Sequence, residues 1–168
     1  DLPFNIVFVA SAEEEISGKR GIAAVLPHLP EIDFGIVGEP TQMQMAVAEK
    51  GLMVIDAVVH GQSGHAARQE GENAIYKAMQ DIQKLQTFQF PKISKWLGTC
   101  LAQITQIDAG YQHNVVPDAC RFVIDVRTTD QYSNQQAFEL LDKLLDAELK
   151  ARSFRLNPSG LSREHLLF

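Results

Sequence analysis

The sequence predicts two pieces of different class: an α/β fragment at the start, then a complete small α+β domain with the ferredoxin-like element order β-α-β-β-α-β. Two observations carry this. Near the start, two almost unbroken apolar runs, "NIVFVAS" from Asn5 and "FGIVG" from Phe34, flank a helix-like segment, the pattern of a βαβ unit whose strands are buried on both faces. From about Leu52 the pattern changes to strict alternation in some segments and helical spacing in others, which fits one antiparallel sheet covered on one face by helices. The expected division is residues 1–49, part of the α/β domain; 50–157, the α+β domain; and 158–168, a return into the first.

Element by element, Asn5 to Ser11 reads as a buried strand, and "KRGIAAVLPHLP" as a helix ended by proline. "FGIVGEP" is the next strand. In α/β sheets the carboxyl ends of the strands carry ligand groups, and both acidic motifs of this region fall there, Glu13-Glu14-Glu15 and Glu39. "LMVIDAVVHG" is then a strand. "NAIYKAMQDIQKLQTF" is a helix with Ile75, Met79, Ile82 and Leu85 on one stripe, and "TCLAQITQID" is a half-exposed strand. In "CRFVIDVRT", Cys120, Phe122, Ile124 and Val126 share one face, with Arg121, Val123, Asp125 and Arg127 on the other. Ser133 with Gln136 three residues on makes a capping box for a second helix, whose stripe is Phe138, Leu141, Leu145 and Leu149. "RSFRLN" is read as the last short strand.

Composition removes several function classes. Of 168 residues, 45% are hydrophobic and 21% charged, and the formal net charge is -6. An acidic chain sets up no basic field for phosphate backbones or an anionic membrane surface, so neither nucleic acid nor membrane is an expected partner. No stretch approaches the roughly 20 apolar residues of a membrane span. Cys100 and Cys120 lie far apart inside apolar runs and are expected to be buried thiols in a reducing cytoplasm, with no disulfide.

Three acidic side chains in a row after a buried strand repel one another unless a cation offsets the repulsion or they splay into water. A solvated first turn of a helix is the plain alternative. The second acidic strand end, "VGEPT", favours the cation, because Pro40 fixes the chain after Glu39 and divalent metals take carboxylate oxygens. His65 stands in a glycine-bounded turn before a helix, "HNVVPD" reads as a turn entering a strand, and Arg127 reads as a charge at the sheet rim. No phosphate-loop spacing occurs.

In this order, "SAEEE" followed by Gly21, then "GEPT", "EKG", "SGHAARQEGENAI", "HNVVPD" and "DVR" resemble the co-catalytic zinc aminoacylase and peptidase family, which includes acetylornithine deacetylase, succinyl-diaminopimelate desuccinylase and carboxypeptidase G. The resemblance runs through nearly the whole chain. It implies a zinc-peptidase-like catalytic α/β domain for the first part, and a lid or dimerisation domain for the second. Its register makes Glu15 a metal ligand, Glu14 the general base and Glu39 the ligand of the other metal, two zinc ions in all, with cobalt able to replace them. It further implies that His65 reaches the active site of a partner subunit in a homodimer and donates to the developing oxyanion, while Asn114 and Arg127 hold the substrate's carboxylate. The implied reaction is hydrolysis of an N-acyl amino acid in the cytoplasm. The spacing of "EEEISGKRG" and "GEPTQMQMAVAEKGLMV" looks most like the acetylornithine deacetylase branch of arginine biosynthesis.

The family's H-x-D motif, its metal-bridging Asp and its final ligand His have no counterpart here. The chain is therefore expected to be an internal fragment, inactive alone. The competing readings are a non-catalytic dimerisation or regulatory module that lost its metal site, and a dipeptidase of the same family.

Overall fold

The computed structural model describes residues 3–15 and 18–160. The expected return at 158–168 therefore lies outside the described residues from 161 on. By its internal contacts the chain divides between Met43 and Gln44 into two compact units.

In the first unit the expected helix forms only as a short piece. α1 (Ile22–Val25) has four residues and runs into a 3-10 turn over Leu26–His28, with Pro27 in that turn's first positions. Gly21 precedes it and is buried: a Cβ there would stand 2.4 Å from the Ala12 carbonyl oxygen. Neither expected strand forms a ladder. Residues 5–11 and 34–38 are not hydrogen-bonded as strands, and Phe8, Ile36 and Val37 are 90%, 82% and 80% exposed. The reason is physical: an extended segment becomes a sheet strand only when a neighbour takes its N–H and C=O groups, and among the described residues no ladder partner stands beside either run.

The second unit contains every sheet among the described residues. In chain order its elements are β1 (Ala48–Glu49), β2 (Gly51–His60), β3 (Gly64–His65), α2 (Ala74–Thr87), β4 (Leu101–Ala109), β5 (Val115–Val116), β6 (Ala119–Thr128), α3 (Asn134–Leu144), β7 (Glu148–Ala151) and β8 (Ser159–Gly160). Four of them make the main sheet in the order β4-β6-β2-β7, with every neighbouring pair antiparallel. β2 and β6 pair over ten residues, Gly51 with Thr128 through His60 with Ala119. Alternation then decides the faces. Met53, Ile55, Ala57 and Val59 of β2 and Cys120, Phe122, Ile124 and Val126 of β6 are buried in one core with Ala74, Ala78 and Leu85 of α2 and Ala137 and Leu141 of α3. Cys100 and Cys120 are free and buried, and burial pushes the Cys120 thiol above its usual value. β1 and β8 pair with each other, Ala48 with Gly160 and Glu49 with Ser159, apart from the main sheet.

Three sequence expectations need correction. The buried stripe of α2 is Ala74, Ala78, Asp81 and Leu85, with Met79 59% exposed, because small alanines let the helix approach the sheet and the Asp81 carboxylate is satisfied from inside. It accepts the Asp146 and Ala147 backbone N–H groups at 3.0 and 2.8 Å and the Lys84 ammonium at 3.1 Å. Helix α3 ends at Leu144, so Leu149 lies on β7 and not on the helical stripe. The last strand of the main sheet is Glu148–Ala151 rather than "RSFRLN". The capping box at the start of α3 is present as read: the Ser133 hydroxyl accepts the Gln136 N–H and the Gln136 side chain accepts the Ser133 N–H.

Candidate functional site

The glycine-rich segment between β2 and α2 is a built loop. Gln62 and Glu72 bridge across it with two 2.8 Å backbone hydrogen bonds, and the Gly61 N–H donates to the Asp118 carbonyl at the start of β6. Gly71 has φ +88°, and a Cβ on it would stand 2.4 Å from the Gln62 carbonyl oxygen, so only glycine fits this crossing. The loop ends at Asn73, which caps α2 by accepting the Ile75 N–H at 2.9 Å.

This loop presents His65. The two-residue ladder β3·β5 sets His65 opposite Val115, and the Ala66 N–H donates to the Asn114 carbonyl at 3.0 Å, so the chain brings His65 and Asn114 side by side on the surface. The His65 Nδ1 accepts the Ala67 N–H at 3.2 Å. An imidazole that accepts at Nδ1 carries its proton on Nε2, so the exposed tip of His65 is a hydrogen-bond donor.

Arg127 is elsewhere. On β6 it pairs with Leu52 and Leu101, whereas Asp118 and Ala119 at the other end of that strand hold the His65 loop. The stretch from Ala119 to Arg127 spans about 27 Å of extended chain. The Arg127 guanidinium is engaged by Asp125 on the same face of the strand, with Nε donating to Oδ1 at 2.7 Å and Nη2 donating to Oδ2 at 3.1 Å. Those hydrogen bonds raise the Arg127 pKa above its usual value. The sequence reading placed Asp125 on this face but gave it no part. Its signal was there, an acid two residues before an arginine on an alternating strand, which puts both on one face.

The acidic residues of the first unit are exposed at Glu14, Glu15 and Glu39. Glu13 has φ +57°, and its carboxylate accepts the Arg20 N–H at 3.1 Å while its carbonyl accepts the Gly18 N–H at 3.0 Å, which closes the turn. The Glu39 carbonyl accepts the Thr41 N–H at 2.9 Å. Among the described residues no group of three or more His, Cys, Asp or Glu side chains gathers closely enough to hold a metal ion. Glu15 and Glu39 are two exposed carboxylates, short of the donors a structural or catalytic metal needs, so the described residues do not fit a metal centre by themselves.

The segment from residue 47 to 153 matches the M20 peptidase dimerisation domain. The chain belongs to that family. Curated relatives include the succinyl-diaminopimelate desuccinylase of Wolbachia pipientis subsp. Culex pipiens, 29% identical over 153 residues, with 84% of this chain and 37% of the relative covered. The acetylornithine deacetylase of Myxococcus xanthus is 28% identical over 149 residues, with 84% and 39% covered. The chain thus spans under two-fifths of the length of these relatives. Among solved structures, the aminobenzoyl-glutamate utilization protein of Klebsiella pneumoniae superposes with a TM-score of 0.54 at 21% identity, covering 68% of this chain and 31% of that one. Aminopeptidase PepT of Bacillus cereus gives 0.53 at 17% identity, covering 72% and 34%. At such identities the likeness is one of fold. The expectation of kinship with deacylases and peptidases holds at the level of the M20 family, and the relatives carry both desuccinylase and deacetylase names. Among the described residues no helix is long and apolar enough to cross a membrane.

Proposed function

We propose that the protein containing this chain is a metal-dependent amidohydrolase that removes the acyl group from an N-acyl amino acid in the cytoplasm and works as a homodimer through the sheet domain. The sheet order β4-β6-β2-β7 with α2 and α3 packed on one face supports a ferredoxin-like reading of that domain. Acetylornithine is the first substrate to try and succinyl-diaminopimelate the second, since relatives bear both names.

The observation that carries the reading is the placement of His65 and Arg127 at opposite ends of β6. An N-acyl amino acid is roughly 10 Å long when extended, so one molecule does not touch both residues of one sheet domain. Two copies remove the difficulty, with Arg127 serving its own subunit's site and His65 reaching the partner's. In this assignment the Nε2–H of His65 donates to the oxyanion that develops on the amide carbonyl, and Asn114 beside it supplies an amide to the carboxylate of the same substrate. Arg127 holds the substrate carboxylate as a fork. Glu14 is assigned as the base, and Glu15 and Glu39 take ligand places for zinc or cobalt that donors elsewhere in the whole protein complete.

The test is hydrolysis of both substrates by the full-length protein, with and without a chelator, beside the His65→Ala variant. Chelator-sensitive release of free amino acid, reduced about 10²-fold or more in His65→Ala, is the expected result. Mixing His65→Ala with a Glu14→Gln variant is expected to restore part of the activity, because mixed dimers assemble one intact composite site. No hydrolysis of any N-acyl amino acid by the metal-loaded protein, with dimers intact, leaves a non-catalytic dimerisation module as the reading.

A further inference from the structure

A lone arginine on an open sheet face is a loose ligand holder. Its long side chain carries rotamer entropy that binding has to remove. Arg127 does not face its site in that state. Asp125, two residues earlier on the same face, takes the side edge of the guanidinium with both carboxylate oxygens, Oδ1 from Nε and Oδ2 from Nη2. The cross-strand neighbours of the pair are uncharged: Leu52 and Leu101 opposite Arg127, Val54 and Gln103 opposite Asp125. The acid that fixes the plane of the fork is therefore its strand neighbour, and the end edge, formed by Nη1 with the second N–H of Nη2, stays available.

We propose that Asp125 is a positioning residue for carboxylate recognition: by holding the side edge of Arg127 it presents the end edge as a fixed two-donor fork for the free α-carboxylate of the substrate. This rests on the assignment of Arg127 as the carboxylate holder. A planar carboxylate offers two acceptors that match two parallel N–H groups, whereas an amide-capped end offers one acceptor and a mismatched donor. The pair therefore acts on specificity as well as affinity. It selects ligands ending in a free carboxylate, and Asp125 contributes by removing the disorder of the arginine before the ligand arrives.

The test compares kcat and KM of the full-length protein with Asp125→Ala, Asp125→Glu and Arg127→Ala, on an N-acyl amino acid and on its carboxamide, with the inhibition constant of the free amino acid product as a readout independent of turnover. Asp125→Ala is expected to raise KM and the product's inhibition constant about tenfold, with kcat within about twofold, the signature of lost uniform binding. The carboxamide is expected to be a poor substrate for all forms and insensitive to Asp125→Ala. Asp125→Glu is expected to recover part of the loss. An unchanged or lowered KM in Asp125→Ala, with Arg127→Ala strongly impaired, overturns the positioning role and leaves Arg127 assigned as above. Unchanged KM in both variants overturns the assignment of Arg127 itself.

Discussion

"NIVFVAS" in the first unit and "LMVIDAVVH" in the second are equally convincing strands on paper, yet the first makes no ladder and the second pairs on both sides. Ile55, mid-way along β2, faces Ile124 of β6 and Ala151 of β7 and is fully buried, while Phe8 is 90% exposed. The difference teaches that β-propensity is a fit to neighbours rather than a property of a segment. A backbone with no partner for its N–H and C=O groups keeps them in water, and the side chains stay there too. Within residues 44–160 each strand of the main sheet has such a partner, so the apolar pattern is converted into a core.

The sharpest way to break this comparison is to cut a large side chain from each unit. Phe122→Ala is expected to destabilise the cooperative unfolding transition by about 3–5 kcal/mol in urea titration, because a buried ring leaves a cavity in the core of the sheet domain. Phe8→Ala is expected to move that transition by less than about 0.5 kcal/mol. Equal losses from the two substitutions would mean that exposure of the ring does not decide its cost.

Carboxylates that accept backbone N–H groups come next. Asp81 is 1% exposed and holds the chain that enters β7 through the Asp146 and Ala147 amides. Asp81→Asn replaces one acceptor oxygen by a donor facing a donor, and a loss of about 1–3 kcal/mol is expected. Glu13 makes a similar bond to the Arg20 N–H, but water replaces it, and Glu13→Gln is expected to leave the urea midpoint where it was. Glycines sharpen the point in the same way. Gly71→Ala, at φ +88° and against the Gln62 carbonyl, is expected to cost about 1–3 kcal/mol and to displace His65, seen as a loss of thermal stability together with a loss of His65-dependent turnover in the full-length protein. Gly21→Ala meets an equally close carbonyl at Ala12, yet it is expected to leave the transition of residues 44–160 unmoved.

Legibility in the sequence followed the same divide. The alternation of β6, the capping box of α3 and the helical span of α2 depend on periods of two and 3.6 residues, which neighbours reinforce but do not create. The α2 stripe was misplaced because a buried Asp81 is invisible to a rule that puts charge outside; its partners are backbone amides 65 and 66 residues away. β7 was missed by a few residues because helix α3 ends without glycine or proline to mark it. The partnership of His65 with Asn114 was legible as two separate turns, and only the β3·β5 ladder joins them. The two-residue strands β1 and β8 carry no pattern long enough to read.

A small effect is expected on the open face of the sheet, where side chains such as Val54 and Val58 are only half-buried and charged pairs stand among them. Asp56 on β2 accepts two bonds from Arg152, Oδ2 from Nε at 2.9 Å and Oδ1 from Nη2 at 2.7 Å. That hydrogen-bonded fork holds the Asp56 carboxyl below its ordinary value of 3.8. A carboxylate whose pKa is lowered by folding stabilises the fold at pH above its unfolded value, and the contribution fades as pH falls through the folded one. Both partners are largely solvated, at 43% and 54% side-chain exposure, so screening keeps the contribution small. Asp56→Asn is therefore expected to unfold at slightly lower urea than the unsubstituted protein at neutral pH, and at the same urea in strong acid. A gap that persists in strong acid would mean that Asp56 acts through packing on the open face and not through its charge.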